Sequence, residues 1–242
     1  MKIATAQTKP VKGNIEANIA AHKKLISLAA EEGAGIIVFP ELSLTGYEPE
    51  LAKELATTKD NSRFNGLQQL SNTHNITICA GMPIKAVNGV MIGLLIFSPG
   101  VERRVYCKQH LHADELPYFI CGHGQEFLQA DGYTIGLAIC YEISVQEHAA
   151  SLFAHGAGIY AASVAKSTRG MEQAVITLAG IARTYSVPVL LSNCVGHCDN
   201  FDCGGKTSAW GSSGSLLRQL DDNSEGIIVF DTATQAAIQK TI

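Results

Sequence analysis

The chain has 242 residues, 46% hydrophobic and 17% charged, with a formal net charge of -4. That composition can bury a substantial core and excludes a disordered polymer, and its mild acidity gives no footing for nucleic acid or an anionic membrane surface. No apolar stretch approaches a membrane span, the N-terminus lacks the apolar core of an export signal, and seven cysteines, an odd number, read as reduced thiols in a cytoplasmic protein.

A short strand over Ile3 to Ala6 opens the chain. Asn14 is a candidate N-cap; Ile15, Ile19, His22, Ile26 and Ala29 then recur at helical spacing, and Gly33 is the stop. The run Ile36-Ile37-Val38-Phe39-Pro40 reads as a strand that ends on Glu41, and this strand-helix-strand unit predicts parallel pairing. Ser43 to Pro49 is rich in turn residues, and two modest helices fill Pro49 to Asn75. Strands at Ile76 to Gly81, Val90 to Phe97 and Glu102 to Cys107 have short connections, which predicts antiparallel pairs; Lys108 follows the last of them. His110 to Asp131 is irregular, and loops of this length are usually functional.

A second strand-helix-strand unit begins at Tyr133. Its first strand ends on Cys140, its helix carries Val145, Ala149, Leu152 and Phe153, and its next strand is Ile159 to Ala162. A helix from about Met171 to Tyr185 and a strand at Val187 to Leu191 follow. Strands near Ser208 to Trp210 and Ser215 to Gln219, then a last one at Gly226 to Phe230, close the chain. No linker-like run or short-period repeat divides it, so one domain over 1–242 is expected. Glu41 and Cys140 occupy matching places in two similar halves, which hints at pseudo-symmetry.

In sheets covered by helices, sites form beyond the carboxyl ends of strands. Here three strand ends deliver a carboxylate (Glu41), an ammonium (Lys108) and a thiol (Cys140), a set suited to covalent catalysis on a carbonyl or nitrile carbon. Singly, each has a blander explanation: a buried structural thiol, a capping carboxylate, a snorkelling lysine. Together they favour a catalytic triad. His110 and His112 offer a competing Cys-His pair. Tyr47, Tyr118, Phe119 and Tyr141 are candidate pocket walls, and Lys166, Arg169 and Arg183 are candidate readers of a substrate carboxylate. Cys194, His197, Cys198 and Cys203 cluster, but their spacing matches no standard zinc module, so no metal is expected. Gly204-Gly205-Lys206-Thr207 lacks the upstream glycine of a phosphate loop.

The blocks Phe39-Pro40-Glu41-Leu42-Ser43-Leu44-Thr45-Gly46-Tyr47, Tyr106-Cys107-Lys108-Gln109-His110-Leu111 and Gly136-Leu137-Ala138-Ile139-Cys140-Tyr141-Glu142 together resemble the nitrilase superfamily of carbon-nitrogen hydrolases. The resemblance implies an α/β fold, a four-layer α-β-β-α sandwich with two central mixed sheets. It implies Cys140 as nucleophile, Glu41 as acid-base group, Lys108 with the Tyr141 N–H as oxyanion donors, and Glu115 (Asp114 the rival) orienting Lys108 or substrate. The implied reaction is hydrolysis of a small linear amide or carbamoyl compound to acid and ammonia through a thioester, without a cofactor. A small nitrile is the runner-up substrate, and a silent scaffold is the reading from another class. Dimers or larger homo-oligomers are common in the family. Ser144 and Gln146 stand where many members have arginine and proline, so one subfamily's substrate preference does not transfer.

Overall fold

A computed structural model describes residues 1–242. β1 (Lys2–Gln7) leads through α1 (Ile15–Glu31) to β2 (Ile36–Val38), and the two strands pair in parallel as expected. Asn14 Oδ1 accepts the Ala17 N–H at 3.1 Å, satisfying one of the donors that a helix start leaves free. Gly33 takes φ +78°, a left-handed conformation open to glycine, just beyond the helix end. Two short helices, α2 (Ala52–Leu55) and α3 (Asn65–His74), precede the antiparallel β3 (Thr77–Ala86), β4 (Gly89–Phe97) and β5 (Arg104–Cys107).

The second half opens with β6 (Phe127–Ala130) and β7 (Tyr133–Ile139), then α4 (Gln146–Ala154), β8 (Ile159–Ser163), α5 (Thr168–Tyr185) and β9 (Val189–Ser192). β10 (Val195–Cys198) and β11 (Phe201–Gly204) form a separate hairpin. β12 (Ser208–Trp210), β13 (Leu216–Gln219), β14 (Gly226–Asp231) and β15 (Ala236–Thr241) complete the chain.

The strands form a seven-stranded sheet, ordered β15-β14-β1-β2-β3-β4-β5, and a six-stranded sheet, ordered β13-β12-β9-β8-β7-β6; both mix parallel and antiparallel pairs. Strand residues alternate between two apolar environments, as period-2 geometry requires when both faces are covered. Ile36 and Val38 enter the core between the sheets, while Ile37 enters the core under α1 and α3. Likewise Leu137 points between the sheets and Ala138 toward α4 and α5. The three cores, of 29, 22 and 16 buried residues, define four layers, helices outside and sheets within. At roughly 25 cal/mol per Å² of apolar surface removed from water, this two-sided burial is the main force holding the sheets in register.

Hydroxyls tie the sheets together at the strand ends that matter for the site. Ser192 donates to the Val38 carbonyl at 2.7 Å and Ser163 to the Phe39 carbonyl at 2.8 Å, and Thr5 Oγ1 meets Ser192 Oγ. The expected element order departs from the structure in a few places. β6 lies inside the segment read as irregular, and α5 starts at Thr168, capped by Ser167 Oγ on the Gly170 N–H at 3.2 Å. β15 follows the strand taken as the last; its face is largely exposed, so no apolar alternation marks it.

Candidate active site

Glu41 sits on a tight loop after β2. The loop closes against β3, where a Cβ at Gly81 would lie 2.2 Å from the Leu42 nitrogen and 2.4 Å from the Pro40 oxygen; only glycine allows this approach. Behind it stands a fully bonded polar chain. His22 Nδ1–H donates to the Asn18 carbonyl at 2.7 Å, Ser43 donates to His22 Nε2 at 2.9 Å, and the Gly81 N–H donates to Ser43 Oγ at 3.2 Å. Burial pushes His22 down to about 4, so it is neutral in this role, and its ring stacks on Phe39 at 4.0 Å.

Lys108 follows β5 and is fully buried. Its Nζ donates to Glu41 Oε1 at 2.7 Å and to Glu115 Oε1 at 2.6 Å. Glu115 Oε1 also accepts from the Tyr47 hydroxyl at 3.0 Å, and its Oε2 from the His112 N–H at 2.8 Å. Asp114, the rival to Glu115, is exposed and bonds His112 Nδ1 at 2.6 Å instead. Burial opposes the charge on Lys108, yet the Glu41 and Glu115 carboxylates beside it hold the ammonium above its ordinary range. Burial raises Glu41 to about 7, offset in part by Lys108 and reinforced by Glu115. A carboxyl poised near neutrality can both take and return a proton. Glu41 Oε2 is buried without a hydrogen-bond partner.

Cys140 ends β7 and starts a tight helical turn over Cys140–Ser144. Its φ of +45° is left-handed, a conformation costing a non-glycine residue about 1–2 kcal/mol, and it swings the thiol out of the strand line. The half-buried sulfur contacts the Ala165 carbonyl at 3.8 Å. Burial and the neighbouring Glu41 push the thiol up to about 12, against the pull of Lys166 and Lys108. The resting group is therefore a thiol, and any nucleophilic role would require a base to remove its proton.

One carboxylate absent from the expected site holds the two halves together. Glu142 is fully buried; it accepts the Gln109 N–H at 2.6 Å on Oε1, and the Ile139 N–H and Tyr106 hydroxyl, both at 2.7 Å, on Oε2. It thus joins the backbone beside Lys108 to the backbone beside Cys140. Because Tyr106 donates to Glu142, His148 Nε2–H donates to Tyr106 at 2.8 Å, and burial lowers His148 toward neutrality. The sequence signal is a carboxylate in the turn behind the thiol; two of its three partners, Tyr106 and Gln109, are over thirty positions away and are not readable from local pattern.

Cys140 and Glu115 open onto a cavity of about 380 Å³ lined also by Tyr47, Tyr118, Tyr141, His112 and Lys166. Glu50, Asp114 and Asp199 add acidic groups to its wall. Phe119, expected as a wall, is a correction: it packs in the inter-sheet core, because the turn that bonds the Phe119 N–H to the Glu115 carbonyl points it away from Tyr118. Of the proposed carboxylate readers, Lys166 lines the cavity while Arg169 and Arg183 do not. His110 packs edge-on against His148 at 5.8 Å and His112 bonds Asp114, while the Cys140 thiol is directed to the Ala165 carbonyl.

The chain is similar to known proteins. The carbon-nitrogen hydrolase family model matches residues 2–240. The chain belongs to that family. A glutamine-dependent NAD(+) synthetase of Thermotoga maritima is 25% identical over 96% of this hydrolase, which spans 42% of the synthetase's length. A hydrolase of Pseudomonas protegens is 26% identical over 90% of the chain and 78% of its own length. In fold, the hydrolase resembles a variant of the Nesterenkonia sp. AN1 amidase in complex with butyramide, at 20% identity, a TM-score of 0.87, and coverage of 97% of this chain and 92% of the amidase. Another form of that amidase carries the acetamide moiety of fluoroacetamide covalently on its active-site cysteine, with a TM-score of 0.85 at 20% identity over 95% of this chain and 89% of that one.

Proposed function

We propose that this carbon-nitrogen hydrolase cleaves a small linear amide or carbamoyl compound through a thioester on Cys140. The carrying observation is that buried Lys108 bonds Glu41 at 2.7 Å and Glu115 at 2.6 Å, while Glu115 and Cys140 line one cavity. Glu41 takes the Cys140 proton as the sulfur attacks the carbonyl carbon. The oxyanion forms beside Lys108, whose ammonium has three N–H groups, two of them used on Glu41 and Glu115. The Tyr141 N–H lies in the first turn after Cys140, where N–H groups have no intrahelical partner, and supplies a second donor. The Glu41 carboxyl then protonates the leaving amine, ammonia departs, and the thioester remains. Glu41, ionised again, activates water and the acid is released. Glu115, held by Tyr47 and the His112 N–H, fixes Lys108.

The cavity supports small substrates, and its acidic rim, opposed by Lys166, disfavours strongly anionic ones. The test is ammonia release from a panel of short amides, carbamoyl amino acids and nitriles, with mass spectrometry of the trapped intermediate. Turnover of amides with acyl mass on Cys140 is the expected result. Turnover of nitriles alone would shift the substrate class, and a folded chain that neither turns over nor labels Cys140 would leave the scaffold reading.

A further inference from the structure

The β10–β11 hairpin carries chemistry that the proposed reaction does not use. Its register pairs Gly196 with Cys203 and Cys198 with Phe201. Residues 194, 196 and 198 share a face by strand alternation, so Cys203 lies diagonally between Cys194 and Cys198. Cys203 Sγ is 3.6 Å from Cys194 Sγ and 3.2 Å from Cys198 Sγ, and all three sulfurs lie within 4.8 Å of one another. All are buried, and they pack in the apolar core between the sheets. His197 points out from the opposite face, exposed and bonded to Asp202 at 3.0 Å, and takes no part.

We infer that Cys194, Cys198 and Cys203 form a three-thiolate site for a thiophilic divalent cation of the zinc class. A zinc–sulfur bond of about 2.3 Å sets two sulfurs on a tetrahedral ion roughly 3.8 Å apart; the Cys203 spacings of 3.2 and 3.6 Å lie just inside that value, and no pair exceeds 4.8 Å. Thiolate donors select soft or borderline ions over Mg2+ and Ca2+. Binding places three metal–sulfur bonds where thiol protons had been and releases those protons to solvent. A dication then leaves one net negative charge in the core, a monovalent ion two, and the smaller buried charge is the less costly. The ligand spacing differs from paired zinc knuckles because one hairpin supplies all the donors across its strands. Asp199 and Asn200 of its turn, with Phe201, line the cavity at Cys140, so the ion fastens one wall of that cavity.

Cd2+ titration of the Cys140→Ser chain, read by thiolate-to-metal charge-transfer absorption, tests the site without the reactive thiol. Saturation at one equivalent is expected, weakened about 100-fold or more by adding Cys203→Ser. Because that variant can misfold, a second measurement uses the unaltered chain: iodoacetamide labelling with and without Zn2+, read peptide by peptide. Zn2+ should slow labelling of Cys194, Cys198 and Cys203 about 10-fold while the exposed Cys121 is unchanged. No saturable absorption, equal titrations with and without Cys203, labelling indifferent to Zn2+, or a Cys198–Cys203 disulfide as the resting state would each overturn the inference.

Discussion

Replacing Glu142 by glutamine keeps volume and removes charge, so it isolates what the buried carboxylate does. Glutamine has one oxygen and one NH2 where glutamate has two acceptors. With the NH2 on the Oε1 side, the Gln109 N–H loses its acceptor at 2.6 Å. With the NH2 on the Oε2 side, the Ile139 N–H loses its acceptor at 2.7 Å, although Tyr106 can turn and accept. The cheaper arrangement orphans one buried N–H, at about 1–3 kcal/mol, and weakens the remaining bonds from charged to neutral by about 1 kcal/mol. We expect Glu142→Gln to lose about 3 kcal/mol of unfolding free energy by urea denaturation. The carboxylate also sets the spacing between the Lys108 and Cys140 segments, and a shift of about 1 Å at a reacting group can cost about 100-fold in rate. A fall in kcat of that order is therefore expected, with little change in KM and with the position of the pH limb retained. Glu142→Asp, which keeps the charge on a shorter arm, should recover part of both losses. If Glu142→Gln stays within about threefold of the parent in kcat/KM and within about 0.5 kcal/mol in stability, the bridging role is wrong.

Other outcomes follow from the same geometry. Since Glu41 must be ionised to take the thiol proton and burial raises it to about 7, kcat/KM should climb with pH through a limb near that value; a limb that persists in Glu41→Gln would exclude Glu41 as its source. His22 and Glu41 shift stability oppositely. The folded His22 lies at about 4, below its ordinary 6.5, so its contribution is present above 6.5 and lost as pH falls toward 4; the folded Glu41 lies at about 7, above 4.5, so its contribution is present below 4.5 and lost as pH rises through 7. Each shift corresponds to about 3 kcal/mol, so stability differences between the parent and Glu41→Gln should favour the variant increasingly from pH 4 to 7, and parallel profiles would refute this. Gly81→Ala places a methyl group against backbone that cannot turn aside, and about 3 kcal/mol or more should be lost in thermal or urea unfolding; an unchanged midpoint would show that the Glu41 loop yields freely.

Much of this arrangement is visible in the chain because strands buried on both faces leave continuous apolar runs, and a charged or thiol group at the end of such a run stands out. Glu41 after Phe39-Pro40 and Cys140 after Ala138-Ile139 are of this kind, and the parallel pairings of β1–β2 and β7–β8 follow from the helices between them. Glu115 was separable from Asp114 only by the structure, since neighbours in a turn point in different directions; the same ambiguity misplaced Phe119 beside Tyr118. Glu142 and the Cys194, Cys198 and Cys203 group act through contacts set by strand register and sheet docking, which local patterns do not encode. β15 carries no local signature because an edge strand with most side chains in solvent needs no alternating pattern.

Glu41 and Lys108 hang from the seven-stranded sheet, whereas Cys140 hangs from the six-stranded one. In the proposed reaction, acid-base group and nucleophile are thus delivered by different slabs, and the reaction centre exists only while the slabs are mated. A chain collapsed into two well-formed but unjoined halves would have nearly all its secondary structure and no competent centre. On the proposed mechanism, catalytic competence is a property of assembly, conferred at the moment of docking and withdrawn by separation.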